Sequence, residues 1–358
     1  MYSVSVTHAG VRALAALDRS LCGRILSRHG TGIYCLLEDD TVLLLHDTAY
    51  GNIPFGLAMV FPLPSAPNDR AATLMVEAAQ RRIRIGSLVC DCTDTEAYTD
   101  TWEDVDGARL QDGRALAFAY LRRAYAGSFV AGVIRGWTQD AYPTDENRDC
   151  GDIWEKALRD PVERLPYLAS NPGDAEKTVE RLLGLGPGLT PLGDDILCGY
   201  LCAAHRYLAV SPNPAVARAV AAVASIVTTR CRKKTTPQSC AFLLSSAAGE
   251  PFGMFDSLLA ALLDPENRRV DVCLDALMRV GHSSGEGFVL GIVSATEMAT
   301  LNPNEFISQD NKKTFSPGSR QSQTGTHRQA LEFLTLQTAP PPKWRGLLHM
   351  LPLLWRHS

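Results

Sequence analysis

Asp194 and Asp195 are adjacent carboxylates that close the run Gly184-Leu185-Gly186-Pro187-Gly188-Leu189-Thr190-Pro191-Leu192-Gly193-Asp194-Asp195. Paired acids can orient an amide, exchange a proton or hold a cation. The run ahead of them carries four glycines and two prolines in twelve residues. A plain turn needs one or two glycines, so here backbone must come close to something. Leu197, Tyr200, Leu201, Ala204 and Leu208 recur at helical spacing behind the acids, and Ala175 to Leu183 also reads as helix. The loop thus feeds a helix N-terminus, whose free N–H groups and partial positive charge suit an anion. Gly186, Gly188, Thr190 and Gly193 are the candidate ligand contacts. A tight helix–helix connection with Asp194 or Asp195 as N-cap is the simpler alternative. Two known loops are excluded. No Gly-Lys-Ser/Thr ends the run, and Leu189 stands where a dinucleotide fingerprint after Gly184 and Gly186 needs glycine.

A second run, Gly281-His282-Ser283-Ser284-Gly285-Glu286-Gly287-Phe288-Val289-Leu290-Gly291, repeats the pattern. With Gly193 on Gly285, Thr190 falls on His282, Asp194 on Glu286, Ile196-Leu197 on Phe288-Val289 and Gly199 on Gly291. A glycine two turns into a helix costs about 1 kcal/mol relative to alanine, a cost that close helix–helix approach explains. The repeat predicts two helices crossing near their N-termini, with both loops facing one pocket. His282, Ser283, Ser284 and Gly285 join the candidate site. His282 is a candidate general acid or base, or alternatively a hydrogen-bonded spacer.

The two motifs together, GLGPGLTPxGDD before an apolar helix and a GHSSG-type loop some ninety residues later, resemble the AllH-type family. Its members are assigned as a subunit of oxamate carbamoyltransferase in anaerobic allantoin (purine-derived nitrogen) catabolism. The resemblance is specific over residues 171–300. It is looser over about 30–170, where the strand-like run before Gly51-Asn52-Ile53-Pro54-Phe55 is similar to the family's N-terminal half, and it does not reach the last sixty residues. The reaction it implies is phosphorolysis of oxalurate to oxamate and carbamoyl phosphate, with other carbamoyltransferase subunits as partners.

Those substrates are anions and call for Arg, Lys and free N–H groups. The densest basic segment of the helical half is Thr228-Thr229-Arg230-Cys231-Arg232-Lys233-Lys234-Thr235-Thr236-Pro237. Arg230, Arg232, Thr235 and Thr236 bind substrate if the segment faces the loops. Otherwise the cations complement a helix C-terminus and Thr236 caps the next helix. Neighbours on a helix diverge by about 100°, so one of Asp194 and Asp195 caps its helix while the other projects toward a substrate amide, preferred here over Mg2+. Asn52, with Phe55, closes the pocket from the N-terminal half. No cofactor or metal is expected. A non-catalytic subunit whose glycine loops pack on a partner chain, and a metal-assisted hydrolase built on Asp194 and Asp195, stand as alternatives.

The elements that must position these residues follow from patterning. Residues 32–37 and 41–46 read as a β-hairpin, with further strands at 57–61 and 82–92 and helices at about 70–81 and 112–126. Candidate helices from residue 173 onward are 174–183, 194–209, 213–230, 237–248, 253–263, 267–280 and 286–300, with Pro212, Pro214, Pro237, Pro251 and Pro265 near their starts. The expected fold is α+β: a small, mainly antiparallel β domain over 1–137, a linker over 138–170, an all-α domain with the glycine loops over 171–300, and a polar, flexible tail over 301–358. The net charge of −4 argues against nucleic acid. Apolar runs are too short for a bilayer or a secretory leader, so a cytoplasmic location is expected. The ten cysteines include no Cys-x2-Cys pair. Cys198 and Cys202, one helical turn apart with His205 nearby, would make only half of a metal site that no further His or Cys pair completes, so buried thiols are the favoured reading.

Overall fold

A computed structural model describes residues 2–29, 32–60, 73–98, 107–138 and 153–301. They lie in one compact unit, Met1–Phe306. The polar tail from 302 and the first part of the expected linker, 139–152, fall outside the described residues.

The N-terminal part is a mixed ten-stranded sheet: β1 (Tyr2–Ser5), β2 (His8–Ala9), β3 (Cys22–His29), β4 (Gly32–Leu37), β5 (Val42–Asp47), β6 (Gly56–Met59), β7 (Thr73–Glu77), β8 (Arg82–Ile85), β9 (Leu88–Asp91) and β10 (Glu96–Ala97). The spatial order is β1-β9-β8-β7-β3-β4-β5-β6-β2-β10. Antiparallel pairing dominates, with parallel pairs at β1–β9, β5–β6 and β2–β10. The sheet curls into a half-barrel. Strands β1 and β2 lie toward opposite ends of the order, yet only Val6 and Thr7 separate them, bonding to the Asp91 and Ala58 carbonyls.

The period-two alternation of β4 and β5 gives the barrel wall two apolar faces. Ile33, Cys35, Leu37, Leu43 and Leu45 fill the interior, where helix α1 (Val11–Leu17) adds Ala13, Ala16 and Leu17. Val42 and Leu44 point the other way, into the core of the helical part.

The expected helix over 70–81 is corrected for the residues described. Thr73–Glu77 is β7, followed by a 3-10 turn at Ala78–Gln80. Leu74 and Val76 are buried while Thr73 and Met75 are exposed, so burial runs with period two although the segment is alanine-rich at both ends.

The helical part comprises α2 (Leu110–Ala124), α3 (Phe129–Thr138), α4 (Ile153–Arg164), α5 (Ala175–Leu182), α6 (Leu192–Val210), α7 (Pro214–Lys234), α8 (Pro237–Ala247), α9 (Gly253–Leu263), α10 (Val270–Met278) and α11 (Ser284–Thr300). Helix α4 falls inside the stretch expected as linker. Helix α7 is the one described helix long and apolar enough by composition to cross a membrane. It carries Val216, Val220, Val223, Val227 and Cys231 on a buried stripe and Arg232, Lys233 and Lys234 in its last turn.

Helices α6 and α11 form the centre. Their crossing is reciprocal: a Cβ on Gly199 would lie 2.3 Å from the Phe288 carbonyl oxygen, and one on Gly291 would lie 2.0 Å from that of Ile196. Ile196 and Phe288 are equivalent positions in the sequence repeat, as are the two glycines. The helices meet as the repeat predicted.

Barrel and helices are joined by an edge-to-face contact of Phe55 with Phe242 at 5.0 Å, by an ion pair of Arg12 with Glu250 at 2.6 Å, and by the Gly253 N–H on the Asn52 carbonyl at 2.7 Å.

Gly291→Ala should cost stability at or above the upper end of the about 1–3 kcal/mol typical of overpacking, because its Cβ meets backbone that cannot rotate away. Gly173→Ala, whose Cβ meets nothing within 4 Å, should leave the urea midpoint unchanged. Equal midpoints for both variants would refute the close crossing.

Candidate functional site

Both glycine loops are built on left-handed backbone. Gly184, Gly186 and Gly188 have φ of +74°, +125° and +98°, and Gly281 has φ of +62°. These values favour glycine. Each loop also folds back on itself at the repeat's aligned glycine: Gly193 N–H donates to the Leu185 carbonyl and Gly285 N–H to that of Val280, both at 2.9 Å. A Cβ on Gly193 would strike the Leu182 carbonyl and one on Gly285 that of Leu277, each the end of the preceding helix. The turns are therefore tight, and α6 and α11 begin side by side. The Thr190 and Ser284 hydroxyls stand 3.0 Å apart across the gap.

Asp195 lies beneath that contact. It is buried, and Gly287 leaves the space its side chain occupies, since a Cβ there would be 2.7 Å from that of Asp195. Burial holds the Asp195 carboxyl well above the ordinary carboxylate value, outweighing the nearby Ser284 and Thr190 hydroxyls, which favour the charged form. Its Oδ2 is buried with no hydrogen-bond partner among the described residues.

The loops form one wall of a cavity of about 280 Å3. Leu189, Thr190, Gly281 and Ser284 line it from the loops, Phe242, Met254 and Phe288 from helices, and Tyr34, His46 and Tyr50 from the barrel. Burial, followed by the nearness of Asp195 and Tyr50, pushes the Tyr34 hydroxyl pKa up, so it stays protonated as a donor. His46 Nδ1 is 2.9 Å from the Asp47 carbonyl oxygen, which only accepts, so that nitrogen carries the proton. Burial lowers the His46 pKa and keeps the ring neutral, and Nε2 has no partner among the described residues.

The predicted residues separate into groups. Thr190, Ser284 and Asp195 are brought together. Asp194 faces elsewhere: its buried carboxylate accepts from the Gly184 N–H at 2.7 Å, from Ser239 Oγ at 2.7 Å and from the Thr235 hydroxyl. The expectation that one aspartate caps α6 is corrected. The helix begins at Leu192 with Pro191 at its N-cap, so both acids lie inside the first turn.

Thr236 is the N-cap of α8, accepting from Ser239 N–H at 3.1 Å, and it donates to the Leu189 carbonyl. Arg230 pairs with Glu176 and Glu180 of α5, and Arg232 lines a different cavity. The expectation that the basic segment faces the loop pocket is thus corrected for both arginines; α5 acids hold the first and the turn of α7 carries the second away. His282 is exposed and outside the cavity lining, and Ser283 is the N-cap of α11 without a side-chain cap bond. Asn52 instead joins barrel to helices, its Nδ2 donating to the Pro251 carbonyl at 3.1 Å, and Phe55 is core. Gly188 is at the exposed loop tip, where a Cβ would meet nothing within 4 Å. Among the described residues no group of three or more His, Cys, Asp or Glu is placed to hold a metal.

Sequence reasoning missed Tyr34, His46 and Tyr50. Tyr34 carried a signal: it is the one polar-tipped residue between Gly32 and Leu37, on the alternate face from Ile33, Cys35 and Leu37.

The cavity is thus walled on one side by two helix N-termini. Residues 182–296 match the family model described as oxamate carbamoyltransferase subunit AllH. The match starts at the end of α5 and runs into α11, so it contains both loops and the helix crossing. No curated protein and no solved structure matches the chain at a significant level.

Two expectations follow. Asp194→Ala strands three donors and should cost at least about 2 kcal/mol in denaturant unfolding; a neutral result would contradict the hub geometry. A raised folded pKa favours the protonated form in the fold, so the contribution of Asp195 is full at low pH and is lost as pH rises from about 4. Asp195→Asn should therefore gain stability relative to wild type between pH 4 and pH 7. A difference that does not change with pH would mean that Asp195 ionises as an ordinary carboxylate.

Proposed function

We propose that this chain is a subunit of an oxamate carbamoyltransferase-like enzyme, and that the cavity between the two glycine loops binds a small ureido or amide anion. The observation that carries the reading is the convergence of two loop–helix units on one cavity inside the segment matched by the AllH family. Two helix N-termini bring partial positive charge to an anion. Thr190, Ser284 and Tyr34 supply hydroxyls. Asp195 lies beneath the Thr190–Ser284 contact, and because burial favours its uncharged form it sets little negative charge behind an anion in the cavity. Catalysis in such a site is mainly positional and electrostatic: carbamoyl transfer between oxamate and phosphate needs its reactants held close and its developing charge met by fixed donors. Oxalurate, oxamate, carbamoyl phosphate and phosphate are the ligands proposed, in allantoin and purine nitrogen catabolism and a cytoplasmic setting.

His282, exposed and outside the cavity lining, and Arg230, held by two glutamates, are weaker candidates for this chemistry than Thr190 and Ser284. Asp194 contributes by shaping the loop. The metal-assisted hydrolase reading loses its basis, because Asp194 turns to α7 and α8 and Asp195 to α11.

A second reading has its own observation. Pro187, Gly188 and Leu189 are exposed at the loop tip, Leu189 at 41%, which suits a contact with another carbamoyltransferase subunit.

A thermal-shift panel of oxamate, oxalurate, carbamoyl phosphate and phosphate tests the first reading. A ligand at 100 times its Kd stabilises by about 2.7 kcal/mol. At least one should raise Tm, and Thr190→Val and Ser284→Ala should each weaken it about tenfold, the effect of losing a hydrogen bond to a charged group. No shift with any of the four, together with retained binding to a partner subunit, would favour the second reading.

A further inference from the structure

A second and larger cavity, of about 450 Å3, opens where the barrel meets the α7–α8 junction. It is distinct from the loop cavity. Phe55 lines the second and Phe242 the first, and their edge-to-face contact forms the partition between them. The strands divide likewise: Tyr34 and Leu44 face the loop cavity, Leu36 and Val42 the second. Nothing in the carbamoyl-transfer reading uses it.

Its lining has two characters. The floor is apolar, made by Leu36, Val42, Phe55, Ala241 and Leu244. The mouth is basic, with Arg12, Arg19 and Arg232 against the single acid Asp40. Two of the three cations are already committed. Arg12 donates to Glu250 at 2.6 Å and to the Leu244 carbonyl at 3.1 Å. Arg19 pairs with Asp39 and donates to the Ala15 carbonyl at 3.3 Å. Arg232 differs. Its ion-pair partner among the described residues is Asp40, 3.8 Å away and beyond hydrogen-bond reach, and its side chain is 60% exposed. A planar guanidinium with its donor fork open, at the rim of an apolar pouch, is built for a carboxylate or similar oxyanion.

We propose that this cavity is a second ligand site, for a small organic anion with an apolar body: one carboxylate or sulfonate on Arg232, and an aromatic or branched aliphatic frame against the floor. The volume falls within the range of small-molecule sites. A bare phosphate would leave the apolar floor wet, and a neutral apolar molecule would leave Arg232 without a counter-charge. A polyanion such as a nucleotide finds only one uncommitted cation among the described lining residues. The site also adjoins the first through hydrogen bonds. Thr235 lines it and donates to Asp194, which accepts the Gly184 N–H of the first loop. An occupant therefore stands next to the network that fixes that loop.

The test uses the full chain and 8-anilinonaphthalene-1-sulfonate, whose fluorescence rises on entering an apolar site. The expected result is a single saturable site, competed by benzoate and far less by benzamide or inorganic phosphate. Arg232→Ala should weaken binding at least tenfold with no change in Tm, since the residue is exposed. Arg232→Glu should weaken it further. Ala241→Trp, which fills the pouch, should abolish it. Arg230→Ala removes a neighbouring cation held outside the cavity by Glu176 and Glu180, and should bind the probe as wild type does. Wild-type affinity in both Arg232 variants would overturn the proposal, as would phosphate competing as well as benzoate. Ser284→Ala should leave probe binding intact, so failure here is separable from failure of the loop-cavity reading.

Discussion

The crossing of α6 and α11 is the constraint on which the rest of the structure depends. Each helix presents a glycine to the other's backbone at an equivalent point, Gly199 to the Phe288 carbonyl and Gly291 to that of Ile196. Only glycine permits this approach, and the cost of two interior glycines, about 1 kcal/mol each, is offset by the packing they allow. Because the contact is reciprocal and near both N-termini, the helices start together. Two loops separated by some ninety residues then face one space, and the Thr190 and Ser284 hydroxyls meet at 3.0 Å.

The same geometry separates the roles of two adjacent acids. Asp194 turns away from the crossing and gathers Gly184, Thr235 and Ser239, joining the first loop to the α7–α8 junction. Asp195 turns into the crossing, takes the space that Gly287 leaves, and is held above its usual pKa by burial. Glu286, which the repeat aligns with Asp194, likewise reaches a neighbouring backbone, accepting from the Val130 N–H at 3.1 Å. In each unit the first acid after the aligned glycine braces the surrounding fold. In the first unit the next residue faces the other helix.

The repeat was legible in the sequence because close backbone approach leaves a local record: glycines at fixed spacing from a loop and a helix start. Thr236 was legible as a cap for a similar reason, since capping is decided within four residues. The destinations of long side chains were not. Arg230 is drawn to Glu176 and Glu180, acids more than forty residues upstream, and no local pattern encodes that. Nor could the hairpin at 32–46 say which face would meet the helices, so Tyr34 and His46 stayed unassigned until the sheet was packed against them. At Thr73–Glu77 a short alternating pattern between alanines read as helix, and pairing with β3 and β8 decided for strand.

The central claim is that the space between the two loops is a ligand site. A crystal structure of the full chain grown with oxamate and phosphate tests it most directly. The account predicts ordered density for one of them within hydrogen-bond distance of the Thr190 and Ser284 hydroxyls and close to Asp195. Density bound elsewhere, with this cavity empty at saturating ligand, would contradict it.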